Sequence, residues 1–484
     1  MTTIKLDPGA ALLLDALHGA GHAAYAVGGC VRDSLLGLAP HDWDLCTSAR
    51  PEQVMALFGE EKCIPTGLQH GTVTVKQGGR LYETTTFRTE GAYSDGRHPD
   101  AVCFVPDVRE DLARRDFTIN AMAYSAEEGL IDPFGGRDDL AAHLVRAVGE
   151  PERRFEEDAL RILRLYRFAA RFGFAIDPAT GAAARALGPH LDCVSAERIQ
   201  EELLKLLAAP RPGSYLEPAV LAVVLPELEP EKQPERFAEL CRTIDRIEPT
   251  AENVPARLAA LLCPLGEAGA RKALRKLKCS NALTDEVTAL EREAGGGAGS
   301  FLLGHEFELR HPADALCLER HSHPAGRCPN SNSLFPPQAA VVAVAGHSIA
   351  RPIACGNRVP PQRTVLGETP GTPNTTLTVQ AKRLLGRYEL PTIQRLTALC
   401  SARHPEQTGA FAALRAEAEQ LTAENACCRV SQLAVNGRDL MAAGVRPGPG
   451  LRQVLNALLE AVITGQTPNE KDALLAAAAQ FSAS

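Results

Sequence analysis

Residues 28–47 read GGCVRDSLLGLAPHDWDLCT, and the two ends of this stretch decide how the chain is to be read. GGCVRD (28–33) follows AYAV (24–27), a short apolar run that predicts a buried strand, ending in glycines and leading into a helix. Glycines let a backbone approach a triphosphate closely, and amides at a helix start favour anions. Gly29 is therefore a candidate nucleotide contact, and Arg32 adds a permanent cation. Strand–Gly-Gly–helix is also ordinary structural punctuation, so alone it predicts no more than a turn. The other end, HDWDLCT (41–47), supplies Asp42 and Asp44. Two aspartates at i and i+2 of a strand project from one face. Hard carboxylate oxygens at that separation can hold Mg²⁺, which keeps much of its shell for phosphates and water. A DxD in isolation reads as a solvated turn; nine residues after GGCVRD it reads as a metal site.

Moving outward, GTVTVKQGGRLYETTTF (71–87) alternates β-branched residues around Gly78-Gly79 and predicts a hairpin. Its second strand carries Glu83, the best candidate for a third carboxylate, although a surface strand glutamate reads the same way. VCFV (102–105) predicts a further strand, and residues 8–20 and 107–125 have helix-like spacing. RRDFTINAMAY (114–124) puts adjacent arginines at the start of a helical stretch, where Arg115 could contact a triphosphate or an RNA backbone. Asp116 is expected to cap or orient these arginines, with Phe117, Ile119 and Met122 in the core. His41 neighbours Asp42 of the DxD and is not read as a phosphohydrolase ligand.

With 484 residues, 45% hydrophobic and 23% charged, the chain fits a globular protein of two to four structural units. No run approaches the roughly 18 apolar residues of a membrane span, and no basic region followed by an apolar run opens the chain. The scattered cysteines read as reduced thiols, so the expected compartment is cytoplasmic. Net charge is −8, but six arginines between Arg153 and Arg171 provide a local basic face. The expected fold class is α+β: a mixed head over 1–150, then helices. A helical neck is expected over 151–210, a helical body over 211–295, and further helices over 379–484. Residues 296–378 fit neither part. With ten prolines, five histidines and no lysine between 301 and 380, they are expected to be loop or disordered. Cys317, His321, His323 and Cys328 lie there at spacings that match no familiar zinc module.

The neck holds the most informative helix, ERRFEEDALRILRLYRFAARFGF (152–174). Asp158, Arg161 and Arg164 recur every three residues along one side, opposite Leu160, Leu163, Tyr166 and Ala170. The plain reading is an amphipathic helix with an ordinary ion pair. The functional reading rests on hydrogen-bond inventory: aspartate only accepts and arginine only donates. Cytosine and adenine each offer an amino donor beside a ring-nitrogen acceptor, whereas guanine and uracil carry a ring N–H in its place. An Asp/Arg pair could accept C and A and reject G and U without a template, because a wrong base leaves polar groups unpaired at about 1–3 kcal/mol each.

Together GGCVRD, DWD, ETTTFRTEGAYSDGRHP (83–99), RRDFTINA, DPFGGRDDL (132–140) and EDALRILR resemble the class II tRNA nucleotidyltransferases, the family of CCA-adding enzymes and bacterial poly(A) polymerases. VNGRDLMAAGVRPGP (435–449) with PNEKDALL (468–475) resembles that family's tail, apart from Arg452 where the family favours glycine. The resemblance implies a polymerase-β-like nucleotidyltransferase head followed by an all-helical neck, body and tail holding the tRNA acceptor arm. It implies metal binding by Asp42 and Asp44, nucleotide contacts from Gly29, Arg32 and Arg115, base reading by Asp158 and Arg161, and assistance from Arg164 and Arg167. The family's flexible loop falls at about 89–99, with Asp95 and Arg97, and is associated with A addition. An HD phosphohydrolase site of some members is missing from RLAALLCPLGEAG (257–269). The expected activity is stepwise addition of C, C and A to tRNA from CTP and ATP with Mg²⁺. Poly(A) polymerase is the alternative, and a catalytically impaired RNA-binding member is another.

Overall fold

The structure, a computed structural model, describes residues 3–90, 102–295 and 376–481. Asp95, Arg97, Cys317, His321, His323 and Cys328 lie outside the described residues, as does most of 296–378; of that segment only 376–378 is described, and it opens a helix.

The head begins with α1 (Pro8–Gly19), capped by Asp7, then β1 (Ala24–Val27), α2 (Gly29–Leu35), β2 (Leu45–Thr47) and α3 (Pro51–Phe58). Next come β3 (Cys63–Gly67), β4 (Thr72–Gln77), β5 (Arg80–Thr86), β6 (Arg88–Glu90) and β7 (Val102–Phe104). The head ends with α4 (Val108–Ala113), β8 (Ala123–Ser125), β9 (Gly129–Ile131), α5 (Gly136–Ala141) and β10 (Leu144–Val145). Seven strands form one sheet in the order β3-β4-β5-β2-β1-β8-β9, in which only β2 and β5 pair parallel. The interior strand β1 is buried along its whole length because both faces are covered. On one face Tyr25, Val27, Cys46 and Phe87 pack with Val108 and Leu112 of α4; Leu13, Leu14 and Leu17 of α1 are also buried. Gly78 and Gly79, both at positive φ, turn β4 into β5 as their spacing predicted.

Two helical expectations give way here. Residues 107–125 form one short helix, a 3₁₀ turn over Thr118–Asn120 and then β8, which pairs with β1. The apolar residues Phe117, Ile119 and Met122 are fully buried by the sheet, so tertiary packing overrides their helix-like spacing. The expected helix 152–174 is two helices, α6 (Pro151–Glu157) and α7 (Leu160–Phe172), separated at Asp158. A two-residue strand, β11 (Ala175–Ile176), then pairs parallel with β10.

Thereafter the chain is helical: α8 (Pro178–Ala186), α9 (Ala196–Leu207), α10 (Pro218–Val224), α11 (Pro234–Arg246), α12 (Val254–Leu262), α13 (Gly266–Lys276) and α14 (Asn281–Ala294). α15 (Thr376–Arg387), α16 (Leu390–Arg403) and α17 (Thr408–Ala423) follow. Tyr388 donates to Glu293 at 2.8 Å and Arg403 pairs with Glu291 at 2.7 Å, tying α14 to the region of α15 and α16. Residues up to 295 together with 380–426 form one compact unit. Residues 427–481 belong to a second, with α18 (Gly437–Ala442), α19 (Pro449–Ile463) and α20 (Lys471–Phe481) around a core that includes Leu440, Leu458 and Leu474. No described helix is long and apolar enough to cross a membrane.

Candidate active site

Gly28 leaves β1 with φ +77° and ψ −122°, a conformation that side chains avoid. A Cβ there would also meet the Arg115 guanidinium at 2.8 Å. The glycine pair is thus a required turn with a cation packed on it. Gly29 opens α2, as expected. Arg32 lies deeper than its expected role at the triphosphate suggests, with only 3% of its surface exposed. Its Nε donates to Asp33 at 2.8 Å and its Nη1 to Asn120 at 2.5 Å. The guanidinium also stacks over Phe168 and Phe172 of α7 at 5.2 and 4.8 Å.

Asp42 and Asp44 precede β2 and are not within a strand, a correction to the expected placement. The backbone is still extended enough to alternate: Trp43 is buried between two exposed aspartates. The Asp44 carbonyl accepts from Val27 N at 2.9 Å, which prolongs the β1–β2 ladder by one residue and fixes Asp44 beside Gly28. Extending the parallel β2–β5 register by one residue likewise sets Asp44 beside Glu83. Among the described residues no hydrogen bond reaches the Asp44 carboxylate. Although open to solvent at its surface, it is surrounded by enough protein to lose hydration. That desolvation, with Glu83 and Asp42 nearby and only partial relief from Arg115, raises its pKa to about 6. Asp42 itself is exposed and paired with His41 at 3.0 Å.

Arg114 and Arg115 follow α4 instead of opening a helix, and Asp111 orients both, at 2.8 and 3.4 Å. Asp116 does not orient them. It points the other way, accepting from Arg164 of α7 at 2.9 and 2.5 Å and from Asn120 at 3.0 Å. Burial alone would raise this carboxyl, but the Arg164 charge and these hydrogen bonds hold it well below the usual carboxylate range.

At the α6–α7 break Asp158 is extended, with φ −150° and ψ 103°, and its Oδ1 accepts from Leu160 N at 3.1 Å. Its carboxylate faces Arg198 of α9, at 2.8 Å from Oδ2 to Nη2. Asp158 and Arg161 therefore do not form the ordinary ion pair of the plain reading. Arg161, 8% exposed, donates to Glu157 at 2.8 Å and to the carbonyls of Arg154 and Arg114. Arg167 donates to Glu202 of α9 at 2.5 Å and stacks at 4.0 Å on Phe168, while Arg164 keeps about a third of its side chain exposed. Leu160, Leu163, Tyr166 and Ala170 are buried on the other side of α7, as their spacing predicted. Sequence reasoning missed Arg198 and Glu202. Their i, i+4 spacing on α9 marked one face of an amphipathic helix, and nothing local said what that face would meet.

Three stretches of the chain match known protein families. Residues 24–146 match the model of the poly A polymerase head domain. Residues 173–231 match a probable RNA and SrmB-binding site of polymerase A, and 388–478 a putative tRNA nucleotidyltransferase domain 2. The CCA-adding enzyme of Lactiplantibacillus plantarum is 33% identical over 466 residues, covering 96% of this chain and 93% of that protein. The chain belongs to the class II tRNA nucleotidyltransferase family. Similarity to the CCA-adding enzyme of Leuconostoc citreum reaches 45% over 257 residues, spanning 63% of that relative's length. The crystal structure of the Bacillus stearothermophilus CCA-adding enzyme in complex with CTP is similar with a TM-score of 0.68 at 29% identity, covering 98% of each chain.

Membership of this nucleotidyltransferase family implies use of a divalent metal. The donors here fit one: Asp44 is an oxygen donor without a hydrogen-bonded cation, and Glu83 and Asp42 add negative charge beside it. Among the described residues no three histidine, cysteine or acidic side chains are already gathered closely enough to enclose an ion.

Proposed function

We propose that this chain adds C, C and A stepwise to the 3′ end of tRNA from CTP and ATP, releasing pyrophosphate. The observation that carries the reading is the joining of two chemistries in one unit. A carboxylate site at Asp42, Asp44 and Glu83, with Asp44 uncompensated, lies in a head that Asp116 ties to α7, which bears Arg161, Arg164 and Arg167 directly after Asp158. Relatives named as CCA-adding enzymes support the choice of reaction, as does the solved relative that binds CTP.

In this reading Asp42 and Asp44, with Glu83 alongside, hold the divalent ion, taken to be Mg²⁺. The bound ion supplies positive charge where the attacking 3′-hydroxyl and the departing pyrophosphate become negative. The glycine turn at Gly28-Gly29 gives the triphosphate close backbone access, and Arg115, oriented by Asp111, contributes a fixed cation. Arg32 acts from beneath, bracing α2 against α7. The Asp158 carboxylate accepts from the amino group of cytosine or adenine, and an arginine of the same row donates to the adjacent ring nitrogen. Arg198 holds that carboxylate in its base-accepting orientation. By this reading the head comprises 1–150, the neck 151–210 and the body 211–295, with 379–484 completing the body and forming the tail. The proposed compartment is the cytoplasm, where tRNA ends are matured.

Incubating the protein with tRNA lacking its CCA end and each labelled triphosphate, singly and together, tests this. Incorporation of C residues followed by one A is expected. Long A tails would transfer the chain to poly(A) synthesis, and absence of incorporation would sink the enzymatic reading.

A further inference from the structure

Arg257, on α12, is completely buried and forms no ion pair among the described residues. Its nearest acid, Asp245, is engaged by Gly213 N at 2.7 Å and Ser214 Oγ at 3.3 Å. All of the guanidinium's hydrogen bonds go to main-chain carbonyls. Nη1 donates to Leu207 at 2.7 Å and Ala209 at 2.5 Å, and Nη2 to Ile247 at 2.5 Å and Pro210 at 3.5 Å. Nε donates to Ile247 at 3.1 Å. Leu207 ends α9, and a helix leaves its last carbonyls without intrahelical donors. A cation at that end also opposes the negative pole of the helix dipole. Arg257 thus closes the C-terminus of α9 from another element and fastens it to the end of α11, where Ile247 lies.

The helix so anchored is the one that reaches the base-reading row. Arg198 holds Asp158 in the first turn of α9, and Glu202 holds Arg167 and approaches Arg164 at 3.9 Å. Both acceptor and donors of the proposed reader therefore depend on where α9 stands along its own axis. We propose that Arg257 is a positioning residue for nucleotide selection, setting the height of α9 and through it the Asp158 carboxylate and the α7 arginines. The inference rests on the reading of Asp158 and α7 as the base reader. Neither the metal carboxylates nor the Gly28 turn touches Arg257, so its effect on the reaction runs through the base reader.

The test compares the full chain with Arg257→Met, which keeps the stem and removes every donor, and Arg257→Lys, which keeps the charge with fewer, unforked donors. Single-nucleotide incorporation on tRNA lacking CCA is measured with CTP and with UTP, together with the Mg²⁺ dependence and hydrogen exchange over residues 196–207. For Arg257→Met the expected result is about a tenfold fall in CTP-over-UTP preference, since small displacements of positioning groups cost on that order or more. It should come with a raised KM for CTP, an unchanged Mg²⁺ midpoint and faster exchange at the end of α9. Arg257→Lys should fall between, and carries the test if the methionine variant does not fold. A selective wild-type chain with equally selective variants would overturn the positioning role while leaving the proposed function intact. A wild-type chain that incorporates no nucleotide would overturn both.

Discussion

Asp44 is a carboxylate that its surroundings leave uncompensated, and this cost is understandable only if a cation offsets it in use. Desolvation and the neighbouring Glu83 and Asp42 push its pKa to about 6, with Arg115 too weakly coupled to reverse the shift. Asp44→Asn removes the repulsion without changing shape. Melting of the metal-free protein should then occur at the same temperature or slightly higher, while CTP incorporation falls by ~10³-fold or more. A variant that kept most of its incorporation would remove Asp44 from the chemistry. Gly28 makes the opposite kind of prediction. Gly28→Ala forces a Cβ into a glycine-only conformation and against Arg115, so urea titration should register a loss of about 1–3 kcal/mol, accompanied by weaker triphosphate binding. At this scale GGCVRD and DWD predicted a glycine turn and alternating exposure, both of which the structure shows, because these are local properties. The packing of Arg115 on Gly28, from residues far along the chain, had no local signature.

Among elements, the break between α6 and α7 changes how the proposed base reader is understood. Periodicity ran straight through Asp158, because Glu and Arg before it and Ala, Leu and Arg after it favour helix and the residue itself carries no glycine or proline signal. Yet aspartate competes with helical hydrogen bonding by capping, and here its Oδ1 takes Leu160 N. The same break leaves the carboxylate reachable from α9, where Arg198 meets it. If Arg198 is a rigid bracket for Asp158, Arg198→Ala should lower CTP-over-UTP preference in the same direction as Asp158→Ala, and the double variant should be less than additive. Strict additivity in steady-state incorporation would mean that the two side chains act separately. The reassignment of Arg161 to Glu157 has a similar origin. Spacing along one helix places residues on a face, but it does not choose among the partners on that face.

For the larger unit as a whole, Asp116 is the joint between the head and α7, buried and bonded to Arg164 and Asn120. Its folded-state pKa lies below the ordinary carboxylate value. It therefore contributes stability that is present above that value and lost as pH falls through the ordinary range toward the folded one. Asp116→Asn should destabilise the protein by about 1–3 kcal/mol at neutral pH, and the difference from wild type should close in strong acid. Equal acid-unfolding curves at every pH would rule out this pair as the joint.

What the sequence determined by itself is the order of parts: a mixed head, then an arginine-rich helical stretch and helices beyond. Their glycine turns, strand alternation and helical period are properties of neighbouring residues, and burial of β1, α1 and the apolar side of α7 follows from them. Only the tertiary structure decided which charges share a bond. Asp116 chose Arg164 over Arg115, Asp158 chose Arg198 over Arg161, and Arg257 spent its charge on carbonyls instead of an acid. An ion pair forms where burial makes an unpaired group costly, and burial is known only once distant segments have met.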